Sequence, residues 1–224
     1  MSVNKTLYLK AAAVTLVLFF AILLLGLYLD DSRTSIVRSQ LELAGSQADE
    51  SRVGLLFLQT FKDSPGFCDA FNVQLETVAS NLGKLGYQLK RFGEASKLDD
   101  LGSYKRKYAV ANAELWLYSV NFKKQCGSSA TTVLYFYPDT RVCGECEAQA
   151  RVLDQLKQKC GQKLLVFSLP ADLDVGIVNT LKKQFAVERV PSLVVNEKTL
   201  VAGLSNGAEV VSKAPGLSQC AALG

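Results

Sequence analysis

Six cysteines are spread over 224 residues, and only two of them stand close together: Cys143-Gly-Glu-Cys146, within "DTRVCGECEAQARVL". A spacing of three places both sulfurs on one helical turn. They can then exchange between disulfide and dithiol, supply half of a zinc site, or act as a fixed staple. The chain contains no histidine, which removes Ser–His and Cys–His catalysis and the commonest metal ligand. A zinc site would need a second pair of ligands, and only dispersed cysteines remain. No metal and no organic cofactor is expected, so the redox and staple readings carry the weight.

The elements around the pair must position it. Thr132–Tyr137 ("TVLYFY") reads as a buried strand, Cys143–Lys159 as a helix and Leu164–Ser168 ("LLVFS") as a second strand. Asp174–Phe185 reads as a helix opened by a capping acid. Ser192–Val195 and Thr199–Ala202 flank the turn "NEK" as a hairpin, and a short last helix is expected near Ala208–Val211. The order β-α-β-α-β-β-α predicts a mixed α/β domain over 128–224, its sheet covered by helices on both faces.

The strand "VLYFY", the "CGEC" at a helix start and "RVPSLVV" about 45 residues on resemble the thioredoxin superfamily over Thr131–Leu204. The resemblance implies a thioredoxin-like fold and thiol–disulfide exchange. Cys143 would sit at a helix N-terminus, where unpaired N–H groups and the macrodipole favour a thiolate. It is the expected nucleophile, and the more buried Cys146 the resolving thiol. By the same resemblance Pro191 would be a cis-proline beside the pair, and Val190 would offer backbone groups to a substrate strand. In such a fold the C-terminal segment packs beside the first helix, which implies a Cys160–Cys220 bridge. Two departures stand out. The strand before the motif holds tyrosines where reducing thioredoxins carry a buried acid, and the dipeptide between the cysteines is Gly144-Glu145. A carboxylate there raises a neighbouring thiol's pKa by like-charge repulsion, an effect that Arg141 would offset.

The N-terminal half reads differently. Leu7–Leu29 is an apolar run with one charge, Lys10. A helix of that length would rise about 34 Å, enough for a hydrocarbon core of about 30 Å. The run is longer than a signal-peptide core, and its end, "LLLGLYLDD", offers no Ala-x-Ala site. Residues 1–31 are therefore expected to form an uncleaved, single-pass transmembrane signal-anchor. Lys5 and Lys10 before the span, with Asp30 and Asp31 after it, orient the N-terminus to the cytoplasm and the C-terminal domain outside.

Residues 32–127 predict a helical spacer. Val37, Leu41, Ala44, Ala48, Leu55 and Leu58 space loosely as one helix. Cys68, Phe71, Leu75, Val78, Leu82, Leu85, Leu89 and Phe92 step 3-4-3-4 as an a/d seam. After a break at Gly93–Gly102, Tyr104, Tyr108, Ala111, Leu115, Tyr118 and Phe122 form the stripe of a third helix, antiparallel to the second. Equal arms about residue 97 bring Cys68 and Cys126 level, and a bridge there would contribute about 4 kcal/mol. All six cysteines then pair, which suits an oxidising compartment.

Charge adds no further partner. Residues 30–130 hold 13 basic and 12 acidic groups and 131–224 hold 10 and 9, so no nucleic-acid surface is expected. Lys105-Arg106-Lys107 reads as a solvated helix face. The expected protein is thus a membrane-anchored thiol–disulfide oxidoreductase. Its partners would be protein thiols and disulfides, the lipid around 7–29 and a membrane redox protein. The competing reading is a non-catalytic interaction module whose 143–146 pair stays oxidised.

Overall fold

The computed structural model describes residues 13–24, 53–95, 99–139 and 142–221. The chain divides into two units, Met1–Phe57 and Leu58–Gly224. In the first unit, residues 13–24 form helix α1, whose rise is about 18 Å against the roughly 30 Å of a hydrocarbon core. No helix among the described residues is long and apolar enough to cross a membrane. This overturns the single-pass anchor over 7–29, together with the signal-anchor reading, the outward-facing C-terminal domain and the lipid contact that depended on it. The expectation counted uninterrupted apolar letters; the described helix takes up about half of them, and the remainder of 7–29 lies outside the described residues. The fold class is accordingly mixed α/β with a four-stranded sheet.

A second helix, α2, covers 53–60, and Gly66 with φ 77° turns the chain into α3, Phe67–Ala95. Helix α4, Asp99–Cys126, returns beside it. The break expected at Gly93–Gly102 is therefore shorter, because both helices run into it. Phe71 on the α3 seam meets Tyr118 and Phe122 edge-on at centroid distances of 6.1 and 5.3 Å. At the open end of the hairpin Cys68 is bonded to Cys126, Cα to Cα 5.7 Å.

Past Gly127 the sequence changes to strand patterning. Strand β1, Thr131–Tyr137, leads to helix α5, Gly144–Cys160, and to β2, Leu164–Pro170. Helix α6, Gly176–Gln184, is followed by β3, Ser192–Val195, and β4, Thr199–Ala202. Helices α7, Gly207–Lys213, and α8, Ser218–Ala221, close the chain. The start of α6 differs from expectation: its cap is Val175, without a side-chain bond, while the Asp174 carboxylate accepts from Asn179 Nδ2 at 3.2 Å.

The sheet order is β2-β1-β3-β4, with β1 and β2 parallel and the other pairs antiparallel. Because side chains alternate along a strand, β1 feeds two cores. Leu134 and Phe136 point to one side, with Phe167, Leu169 and Val194. That side is covered by Ala109, Ala113, Trp116 and Val120 of α4 and by Val178 and Leu181 of α6. Val133 and Tyr135 point to the other, where α5 supplies Cys146, Leu153 and Leu156, and the C-terminal helices supply Val210, Leu217 and Cys220. Helix α4 is thus a layer of the fold, with one side against α3 and another against the sheet.

Candidate redox site

The pair sits where β1 hands the chain to α5. Cys143 is the helix cap, with extended backbone (φ −141°, ψ 95°), and its sulfur accepts the Cys146 N–H at 3.2 Å. A sulfur here does what a Ser or Asp oxygen does at most caps: it satisfies an N–H that has no partner within the helix. The Glu147 N–H donates to the Cys143 carbonyl at 3.1 Å and closes the first turn. The two cysteines are joined in a disulfide, Cα to Cα 5.2 Å. Their surroundings differ: Cys146 is 5% exposed and belongs to the core, whereas Cys143 is half-buried and the preceding Val142 is 95% exposed. Solvent therefore reaches the pair from the Cys143 side. Arg141 lies outside the described residues.

Phe136 pairs with Ser192 in the β1–β3 register, so Pro191 stands at the end of the sheet from which the chain leaves for Cys143. The Val190–Pro191 peptide is cis, and Val190 packs against the buried cluster that contains Cys146. The flanking segment is braced. The Gly203 N–H donates to the Pro191 carbonyl at 2.8 Å, Ser192 Oγ to the Arg189 carbonyl at 2.7 Å, and Arg189 Nη2 to the Ala202 carbonyl at 2.7 Å. Gly203 has φ 94°, and a Cβ there would lie 3.3 Å from Arg189 Nη2, so only glycine fits comfortably. Among the described residues, no hydrogen bond occupies the N–H or C=O of Val190. Cys143, Cys146 and Val190 thus meet around one buried cluster, with Pro191 next to Val190.

Several contributors were not foreseen from the sequence. Tyr135 Oη donates to the Cys146 carbonyl oxygen at 2.6 Å, and its ring stacks on Tyr137 with centroids 5.6 Å apart. Burial pushes the Tyr135 phenol up to about 12. Burial also raises Tyr137, with smaller contributions from Asp139, Tyr108, Tyr135 and Asp172. The parity of β1 was the available clue, since Tyr135 shares its side of the strand with Val133. The loop leading to Cys143 is held at its root: Lys105 Nζ pairs with the Asp139 carboxylate at 2.9 Å, and the Asp139 N–H donates to Asp172 Oδ1 at 2.7 Å. Lys105, expected on a solvated helix face, is instead partly buried in this ion pair.

On the same side of the sheet as the pair, fully buried Gln149 accepts the Ser205 N–H at 2.8 Å, and its Nε2 has no partner among the described residues. At the far end of α5, Cys160 is bonded to Cys220, Cα to Cα 5.0 Å. A groove of about 680 Å³ between α3, α4 and β2 is lined by none of Cys143, Cys146, Val190 or Pro191. No cluster of three or more metal-ligating side chains occurs among the described residues.

No family model matches the chain, and no curated protein matches it. Among solved structures, the chain is similar to a chloroplastic thioredoxin z, at 17% identity and a TM-score of 0.34, covering 42% of this chain and 83% of that one. It is also similar to thioredoxin-2 of the malaria parasite, at 22% identity and a TM-score of 0.30, covering 37% and 79%. A further malarial protein aligns at 20% identity and a TM-score of 0.30, covering 38% and 92%. Scores this low carry no argument about chemistry, which rests on the site's own geometry.

Proposed function

We propose that the chain is a thioredoxin-like thiol–disulfide oxidoreductase acting on protein thiols and disulfides through Cys143 and Cys146. The observation that carries this reading is the position of the pair. One sulfur is accessible and receives an N–H at a helix N-terminus, and the other is buried one turn away. That N–H and the helix dipole lower the free energy of a thiolate at Cys143. In the reducing direction the Cys143 thiolate attacks a substrate disulfide, forms a mixed disulfide and expels one substrate thiolate. Cys146, losing its proton to solvent, then attacks Cys143 Sγ. The Cys143–Cys146 bond forms, the second substrate thiolate leaves, and two electrons have passed to the substrate. The oxidising direction is the reverse. Val190 would present its N–H and C=O to an extended substrate segment while Pro191 shapes the approach.

The test is a Cys146→Ser variant, which can begin the exchange but not resolve it. Mixed disulfides through Cys143 should accumulate with protein substrates and disappear in the Cys143→Ser/Cys146→Ser double variant. Absence of adducts, with an oxidised pair that resists mild thiols, would instead identify a binding module with a fixed disulfide.

A further inference from the structure

Tyr135 approaches the redox pair from the sheet. It lies on β1, is 5% exposed, and places its hydroxyl 2.6 Å from the Cys146 carbonyl oxygen, in a buried bond. That carbonyl belongs to the peptide whose N–H, on Glu147, donates to the Cys143 carbonyl. The N–H of Cys146 itself donates to Cys143 Sγ. Three hydrogen bonds therefore run from strand to helix turn to sulfur, and all three meet at residues 143–147. A hydroxyl on a carbonyl polarises its peptide and strengthens the donor on the other side.

We propose that Tyr135 is a positioning residue of the Cys143–Cys146 pair. Its hydroxyl fixes the first turn of α5, keeping the Cys146 N–H aimed at the Cys143 sulfur and favouring the reduced, thiolate state. The inference rests on the reading of the pair as redox-active. It discriminates between oxidation states because a hydrogen bond to an anion is roughly twice as strong as one to a neutral acceptor. Loosening the turn thus costs the thiolate more than the disulfide. The phenol acts as a donor: a tyrosine is protonated at neutral pH, and burial raises this one further. Tyr137, stacked on the ring, offers an internal comparison: it is an adjacent phenol with no bond to Cys146.

The experiment equilibrates the full chain with glutathione and measures the oxidised fraction of the 143–146 pair by alkylation and mass spectrometry. Two glutathione thiols reduce the disulfide, giving oxidised glutathione, a Cys143 thiolate, a Cys146 thiol and one released proton. Tyr135→Phe, which removes only the hydroxyl, should shift the equilibrium towards the disulfide by about threefold to tenfold, or about 15–30 mV. Tyr137→Phe should leave it in place. An unchanged constant in Tyr135→Phe, whatever its melting temperature, would reduce Tyr135 to a packing residue. An equal shift in both variants would likewise overturn the role. A wild-type pair that exchanges with neither glutathione nor dithiothreitol would overturn the redox reading itself, and this inference with it.

Discussion

On one face of the sheet, Leu134, Phe136, Phe167 and Val194 pack with the apolar side chains of Ala109, Ala113, Trp116 and Val120 of α4. On the other, Val133 and Leu193 share their space with a disulfide sulfur, the Tyr135 hydroxyl and the Gln149 amide. A buried polar group is costly unless it is paired, so the second face is built around specific partners. The first needs only volume and shape. The difference separates packing from the candidate site: α4 and α6 supply cover, and α5 carries the Cys143–Cys146 pair, whose geometry depends on a few hydrogen bonds.

The largest effect should come from emptying the hydrocarbon face. Trp116 is 5% exposed and meets Phe185 edge-on at 6.0 Å, and Trp116→Ala should cost about 4 kcal/mol in urea unfolding. The glutathione equilibrium of the pair should stay at the wild-type value. A shift there would show that the two faces are coupled.

Alkaline pH gives the next largest effect and tests each layer through one tyrosine. Tyr118 on α4 is raised to about 12 by burial and then by Glu114, with a Gln74 bond acting the other way; Tyr135 is raised to about 12 by burial. Each favours the neutral phenol in the fold, so the stabilisation is fully present below about pH 10. It is lost as pH rises from there to about 12, where the unfolded chain ionises first. Together the two tyrosines should contribute about 2–3 kcal/mol to that loss. Tyr118→Phe and Tyr135→Phe should each flatten melting temperature against pH above 10, and a curve as steep as wild type would refute the assignment.

Gln149→Leu should cost about 1–2 kcal/mol by leaving the Ser205 N–H unpaired, read as a lower urea midpoint with an unaltered slope. Smallest is Lys105→Met. The Lys105–Asp139 pair is partly exposed, and breaking it should cost about 0.5 kcal/mol. Its sharper readout is protease cleavage in the loop before Cys143, which should quicken if the pair holds that loop's root.

Much of the second half was legible in the sequence because each element followed one simple period. Ser192–Val195 and Thr199–Ala202 are the strands that "SLVV" and "TLVA" suggest. Helix α4 was only half legible. Tyr108, Tyr118 and Phe122 of the expected stripe are turned to α3, but Ala109, Ala113, Trp116 and Val120 form a second stripe against the sheet. Two apolar stripes blur a helical period, and small alanines read as neutral until the strand they touch is known. The Tyr135 bond to Cys146 was invisible for another reason: it joins residues 11 apart across a strand-to-helix turn. The N-terminal anchor failed because apolar length alone does not fix where a helix begins and ends.

One practical consequence follows from the way α4 lies on β1 and β2. Cutting the chain just before Thr131, to isolate the strands and helices around the cysteine pair, would strip Leu134, Phe136, Phe167 and Val194 of the cover that α4 gives them. Such a piece should bind hydrophobic dyes and aggregate. A piece starting near Phe67, the longer of the two, keeps both helical arms with their Cys68–Cys126 tie and should bind such dyes far less.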